Sequence, residues 1–328
     1  MVKKVVVIGS NSFSGAHFIS LLLEKTEYEV IGIDRVDKSS IFLPYKGKEQ
    51  GRFRYFNMDL NNDMENMLGL FEMIKPEYIV NFAAQSEVGP SWENPSHWFK
   101  TNTLAIVNLT NSLNGKEWLK NYVQISTPEI YGSCEEITEQ APYNPSTPYA
   151  ASKAAGDMFI QTLIKNFNFP ATFIRSTNVY GPGQQLFKII PRAIIYMKLG
   201  KTISLHGGGE AVKSYIHIRD LSEGILRAME TQGKGEIYHL SPESGYSIKS
   251  IVKKIADKMG KIFQEVTEIV GERLGQDKAY VIKSDKAKAE LGWSPEISLE
   301  QGLDECIEWV NDNWEIIQAL PLDYIHKE

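Results

Sequence analysis

Two hydrophobic periods alternate along the chain. Val5-Val-Val-Ile8 is an unbroken β-branched run, the pattern of a strand buried on both faces of a parallel sheet. Phe18, Ile19, Leu22 and Leu23 then recur at helical spacing. The alternation continues with strands at Tyr28–Ile33, Phe53–Phe56, Tyr78–Phe82, Tyr122–Ile125 and Ala171–Arg175. Helices are predicted over about 62–74, where Pro76 ends the run, and over about 97–113 and 148–166. Residues 85–98, rich in Pro, Ser and aromatics, read as a loop over a site, and 134–148, with three prolines, as a second loop. Beyond about residue 178 the pattern is less regular. It predicts helices near 189–199, 220–231, 248–259 and 299–313, and strands near 202–205, 212–218 and Ile237. Gly207–Gly209 reads as a turn, and the chain from Pro321 onward as a loose tail. The expected fold class is α/β, a Rossmann-type doubly wound parallel sheet with a smaller α/β C-terminal substrate domain. The sheet domain takes residues 1–178 plus about 212–240, and the smaller domain about 179–211 plus 241–328.

Composition narrows the function classes. The 328 residues carry 35 Lys and Arg against 41 Asp and Glu, a net charge of −6 that disfavours a nucleic-acid surface. Cys134 and Cys306 are the only cysteines, with no C-x-x-C spacing. That argues against a disulfide framework or structural zinc and fits a reducing, cytoplasmic setting. The apolar run at Val5 is too short for a membrane span and lacks a signal-peptide cleavage pattern. The six histidines show no metal-ligand spacing.

The first strand runs into Gly9-Ser-Asn11-Ser12-Phe13-Ser14-Gly15 and then a helix. Strand, glycine turn and helix together form the context of a dinucleotide site. Gly9 permits the tight turn, Gly15 lets helix and strand approach, and the helix N-terminus faces a pyrophosphate. The second strand ends at Asp34, whose carboxylate can accept from a ribose 2′-hydroxyl and would repel a 2′-phosphate; this favours NAD over NADP, with Arg35 beside it pulling the other way. Asp59 and Leu60, at the end of the next strand, are placed to border an adenine, and the small Ala83-Ala84 lets backbone approach the cofactor.

Tyr149 and Lys153 stand four residues apart, on one face of a helix. An ammonium near a phenol stabilises the phenolate, and a tyrosine so tuned can take a proton from a hydroxyl near neutral pH. At the end of the Tyr122 strand lies Thr127-Pro128-Glu129, on the sheet edge where open α/β proteins bind ligands.

On Gly9–Gly15, Asn81-Phe-Ala-Ala84, Tyr149–Lys153, Arg175-Ser-Thr-Asn178-Val-Tyr-Gly-Pro182, Arg273-x-Gly275-x-Asp277-x-x-Tyr280 and Ala289-Glu-Leu-Gly-Trp293, nearly the whole chain resembles an extended short-chain dehydrogenase/reductase. More narrowly it is similar to the nucleotide-sugar 4,6-dehydratases. The resemblance implies NAD as cofactor, held by Gly9, Asn11, Ser12, Phe13, Ser14, Gly15, Asp34, Arg35, Asp59, Leu60, Ala83, Ala84, Gln85, Asn102, Tyr149 and Lys153. It implies a nucleotide-diphospho-sugar substrate held by Ser86, Asn178, Lys188, Arg192, Lys213 and Arg273, although each cation also reads as a plain surface charge. Catalysis would fall to Thr127, Glu129, Tyr149 and Lys153. Relatives pair through the helices near 97–113 and 148–166, so a homodimer is expected. Three positions depart from the family pattern: Ser12 replaces the middle fingerprint glycine, Pro128 replaces an aspartate or serine, and Lys213 replaces an arginine. Serine at position 12 still offers a hydroxyl to phosphate. The triplet without aspartate leans towards the GDP-hexose branch. A C4 epimerase, a UDP-glucuronate-type decarboxylase and a non-catalytic NAD-binding protein are the alternatives.

Overall fold

The computed structural model describes residues 2–37, 42–48, 51–272 and 278–327. Its strands, in chain order, are β1 (Lys4–Ile8), β2 (Glu29–Asp34), β3 (Phe53–Asn57), β4 (Tyr78–Asn81), β5 (Asn121–Ser126), β6 (Cys134–Ile137) and β7 (Ala171–Ser176), then β8 (Asn178–Tyr180), β9 (Ile203–His206), β10 (Val212–His217), β11 (Lys234–Leu240), β12 (Gly245–Ser247), β13 (Thr267–Val270) and β14 (Ala279–Ile282).

Seven of them form one sheet in the order β11-β7-β5-β4-β1-β2-β3, with every pairing parallel. The chain order reverses between β1 and β4, so the crevice at their carboxyl ends is the switch point of a doubly wound sheet. Alternate side chains serve opposite faces. Val5 and Val7 join one core with Phe18 and Leu22 of the helix Phe13–Lys25, while Val6 and Ile8 join the other with Met67 and Phe71.

A smaller sheet, β12-β10-β14-β6 with β8 on β10, is gathered from distant parts of the chain. The expected loop at 134–148 therefore contains a strand, since β6 pairs with β14 across more than a hundred residues of sequence. The third core, with Ile194, Ile251 and Leu303, packs the helices Ile189–Leu199, Ile248–Lys258 and Leu299–Asp312. Gly207–Gly209 is a 3-10 turn.

The long helix expected near 97–113 is interrupted. Helical turns at Pro95–Phe99 and Ala105–Leu113 flank a π-helical turn at Lys100–Leu104. That turn holds Asn102, 1% exposed, against the Tyr149 helix. Gly156 makes the approach possible: a Cβ there would lie 2.4 Å from the Asn102 carbonyl oxygen. The segment from Pro321 is not loose. It alternates exposed and half-buried residues and lies against the large cavity at the sheet edge.

Candidate active site

A cavity of about 1090 Å³ opens at the carboxyl ends of β1, β4 and β5 and extends to the smaller sheet. At its sheet end the glycine turn is built as a close-approach cradle. Gly9 has φ +81°, and a Cβ there would meet the Ala83 nitrogen at 2.7 Å. A Cβ on Gly15 would sit 2.2 Å from the Gly9 carbonyl. The helix Phe13–Lys25 therefore begins hard against β1, and Phe13 and Ser14 of its first turn line the cavity. Ser12 caps this helix: its hydroxyl donates to the Gly9 carbonyl (2.6 Å) and accepts from the Gly15 N–H (3.1 Å). Ser12 lines the cavity, as expected, with its hydroxyl proton engaged in the turn.

Asp34 closes the same turn, accepting from the backbone N–H groups of Asn11 and Val36, each at 2.9 Å. Burial raises its pKa and those two N–H groups oppose the rise. Two hydrogen bonds leave acceptor capacity on the carboxylate for a ribose hydroxyl. The Arg35 guanidinium lies 3.9 Å from Asp59, whose carboxylate accepts from the Asn61 N–H, and Leu60 is buried in the second core. Ala84 lines the cavity beside Phe82. Gln85 is buried, and the Asn102 side chain holds it: Oδ1 accepts from the Gln85 N–H (2.9 Å), and Nδ2 donates to the Gln85 backbone carbonyl (2.9 Å) and to the Ser152 hydroxyl (3.0 Å). Asn102, expected to bind cofactor, forms a strut between the loop after β4 and the Tyr149 helix. A dinucleotide fits this half: two glycines clear the approach, a helix N-terminus faces the cleft and an acidic residue ends β2.

Tyr149 enters from the helix Pro148–Phe167, which Thr147 caps through the Ala150 N–H and which carries Pro at its first position. Thr127 and Glu129 enter from the end of β5. Thr127 caps the 3-10 turn Pro128–Tyr131, accepting from the Glu129 N–H at 3.3 Å and donating to the Glu129 carboxylate. Pro128 takes the first position of this turn, where a fixed φ and a missing N–H cost nothing.

Charges in the site are arranged differently from the sequence expectation. Burial pushes the Tyr149 phenol well above its ordinary value, the Glu129 carboxylate raises it further, and a hydrogen bond with Thr127 opposes them. The Lys153 ammonium lines the same cavity and donates to the Ile125 carbonyl at 2.7 Å, and burial lowers its pKa. Tyr149 and Lys153 share a helix face and one cavity, and the bond to Ile125 uses one of the three protons of the ammonium. Burial likewise raises Glu129, against the pull of Lys213, Thr127 and Lys188.

Behind the site Asp157, one turn beyond Lys153, accepts from Ser126 at 2.6 Å and faces Arg175 at 3.4 Å, both ends of the ion pair fully buried. Arg175 also donates to Tyr131 and Tyr143. This network ties the Tyr149 helix to β5 and β7.

Of the expected substrate residues, Ser86, Asn178, Lys188, Arg192 and Lys213 all line the cavity. Lys188 pairs with Glu87 at 2.5 Å, Arg192 with Asp323 at 2.8 Å, and Lys213 lies 5.2 Å over the Tyr280 ring. Arg273 lies outside the described residues. Sequence reasoning passed over Glu87 and Tyr324, both of which line the cavity. Glu87 follows Ser86 directly in the loop predicted to cover the site, which was its available signal. Tyr324 gave none.

Comparison with known proteins agrees with this geometry. A family model described as GDP-mannose 4,6 dehydratase matches residues 6–306. The chain is 28% identical over 323 residues to the dTDP-D-glucose 4,6-dehydratase of Mus musculus, across 95% of this chain and 90% of that one. The dTDP-glucose 4,6-dehydratase of Streptomyces venezuelae, solved with NAD bound, matches with a TM-score of 0.89 and 28% identity over 95% of this chain and 98% of that one. The UDP-glucose 4-epimerase of Thermotoga maritima, at 24% identity and a TM-score of 0.86, covers 95% and 99% and shares the fold.

Proposed function

Because the chain belongs to the GDP-mannose 4,6-dehydratase family of extended short-chain dehydrogenase/reductases, we propose that it is an NAD-dependent nucleotide-diphospho-hexose 4,6-dehydratase, a hydro-lyase yielding a 4-keto-6-deoxy sugar nucleotide. The observation that carries this reading is the meeting of Glu129 and Tyr149 in one cavity, with Thr127 between them. A redox step alone needs only the phenol; a carboxylate beside it supplies a base for a second, non-redox step.

NAD, when bound, supplies a hydride acceptor at C4 of the hexose and the same hydride again at C6. The rest falls to the chain. As the C4 ketone forms, Tyr149 takes the 4-hydroxyl proton as the phenolate, and Thr127 orients that oxygen. Lys153 on the same helix face and the positive charge of a bound oxidised nicotinamide would favour the phenolate against burial and Glu129. The ketone makes the C5 hydrogen acidic, and Glu129 removes it. The C6–O bond then breaks, and the departing hydroxyl needs a proton to leave as water. Pro128 cannot give one. Glu129, its carboxyl biased by burial towards the protonated form, holds the proton it has taken and passes it on. After hydride return at C6, C5 takes a proton from solvent, Tyr149 gives up the one it took, and the sum is loss of one water.

For the nucleotide, the Thr127-Pro128-Glu129 triplet leans towards a GDP-hexose, while the mouse and Streptomyces relatives are dTDP-glucose enzymes. dTDP-glucose is therefore the first substrate to assay and GDP-mannose the second. The cationic wall of Lys188, Arg192 and Lys213 would face the diphosphate in either case. We further propose that β-strands of the larger sheet carry the cofactor and those of the smaller sheet the sugar nucleotide. A homodimer is proposed through the helical segments near 97–113 and 148–166, where Phe99, Leu104 and Met158 are exposed at 40%, 56% and 55%. Among the described residues no helix is long and apolar enough to cross a membrane.

Pro128 favours one second reading, C4 epimerisation, which needs no acid at C6. Incubation with NAD and the two sugar nucleotides in deuterated water separates them. Dehydration gives a 4-keto-6-deoxy product with deuterium at C5. Inversion at C4 without solvent label would sink it.

A further inference from the structure

The segment from Pro321 to Lys327 makes contacts that a loose terminus has no reason to make. Leu322, Tyr324 and His326 are half-buried while Asp323, Ile325 and Lys327 are exposed, the two-residue period of an extended chain laid on a surface. Asp323 pairs with Arg192 at 2.8 Å on the substrate side of the cavity. Tyr324 meets the Phe187 ring edge-on at 5.3 Å and its hydroxyl lies 3.1 Å from His326 Nδ1. His326 stacks on the buried Trp98 ring, at 5.1 Å and 9°, and its Nε2 lies 3.0 Å from His97 Nδ1. The Lys327 carbonyl then accepts from the Gln85 side-chain amide at 2.6 Å and the Arg35 guanidinium at 3.1 Å. One short stretch thus links the cation wall to Arg35, just after β2, and to Gln85, in the loop after β4.

We propose that residues 321–327 are part of the dinucleotide site, a strap that retains the cofactor by bridging Arg35 and Gln85. The proposal rests on NAD being the resident cofactor. The chemistry gives a strap its use. A reaction that takes a hydride from the sugar and returns it to the same sugar gains nothing from cofactor exchange, and a reduced dinucleotide lost midway would strand the 4-keto intermediate. The contact with Arg35 is through a carbonyl and not a carboxylate, so the strap adds no negative charge at the cofactor end. Its stacked His326 supplies an anchor on a buried ring without adding a side chain to the Gly9–Gly15 cradle.

The test compares the intact protein, a chain ending at Leu320, and His326→Ala, each loaded with NAD and passed through gel filtration. Bound NAD is quantified after denaturation, and its release is timed by trapping into a second NAD-binding enzyme. Circular dichroism establishes which variants fold; His326→Ala keeps the test open should the shortened chain fail. The expected result is retention by the intact protein and release faster by about tenfold in the variants. Folded variants that hold NAD as long as the intact protein, or longer, overturn the strap. An intact protein that binds no NAD at all overturns the cofactor assignment and the strap with it, and is told apart by the absence of any nucleotide to release.

Discussion

Tyr149 rides on a helix of 20 residues, whereas Glu129 stands on a 3-10 turn of 4, and the two meet in one cavity. The helix is held from several sides: Thr147 caps it, Asn102 bonds its Ser152, and Asp157 ties it to Ser126 and Arg175. The turn is shaped at its start by Thr127, Pro128 and the bond from Thr127 to the Glu129 carboxylate, and is anchored at its end by the buried Ile130 and by Tyr131, which bonds Arg175 and His239. The difference teaches a division of labour. The tyrosine proposed for the redox step sits on a long, deeply anchored element. The carboxylate proposed as the C5 base sits on a short turn whose first half, Thr127-Pro128-Glu129, is shaped locally.

Substitutions test that division, beginning with the helix. Tyr149→Phe removes only the phenolic oxygen and should lower turnover by roughly 10^4-fold, with no transient NADH absorbance on adding substrate. Appreciable NADH formation by this variant would mean that another group takes the 4-hydroxyl proton. The anchoring of the helix is tested next by Arg175→Met, which leaves the Asp157 carboxylate buried without its partner. Removing one member of such a pair costs about 3–5 kcal/mol, readable as a lower midpoint in urea unfolding. A variant of unchanged stability would show that the network behind the site does not hold the helix.

On the turn, Glu129→Gln keeps size and hydrogen bonding and removes the base. Product formation should fall by roughly 10^2–10^3-fold while NADH still appears transiently, since oxidation at C4 is untouched. Loss of both signals together would place Glu129 in the redox step and erase the division between helix and turn.

Legibility in the sequence divides along a similar line, between contiguous elements and those assembled from afar. β1, its glycine turn and the following helix are contiguous, so their period and spacing declared them, and the Tyr149–Lys153 spacing did likewise. The smaller sheet was mostly hidden because β6, β8 and β12 have only 4, 3 and 3 residues and find partners far along the chain. Residue type at position 12 was plain, but which neighbour takes the Ser12 hydroxyl depends on Gly9 folding back to within 2.6 Å. The direction of the Lys153 ammonium depends likewise on the Ile125 carbonyl. The strap was illegible for the same reason: nothing in Tyr324-Ile-His-Lys327 names Trp98, Gln85 or Arg35 as its support.

The smallest expected effect is also the one that separates the two elements by stability and not by rate. Burial raises the Glu129 pKa in the folded protein above its unfolded value. A group raised in this way contributes stability that is fully present below the unfolded pKa and is lost as pH rises through the folded one. At neutral pH the ionised Glu129 therefore lowers stability relative to a neutral isostere, and Glu129→Gln should raise the melting temperature. The gain should be largest at pH 8 and shrink towards pH 4, where the wild-type carboxyl is itself protonated. It should remain small, because Lys213 and Lys188 offset part of the burial cost and the residue is half open to the cavity. Melting curves of both proteins across that range read the difference directly. A catalytic carboxylate kept at the expense of stability gives this sign, whereas a carboxylate retained to hold the turn together gives the opposite one, with the Gln variant less stable at pH 8 than the wild type.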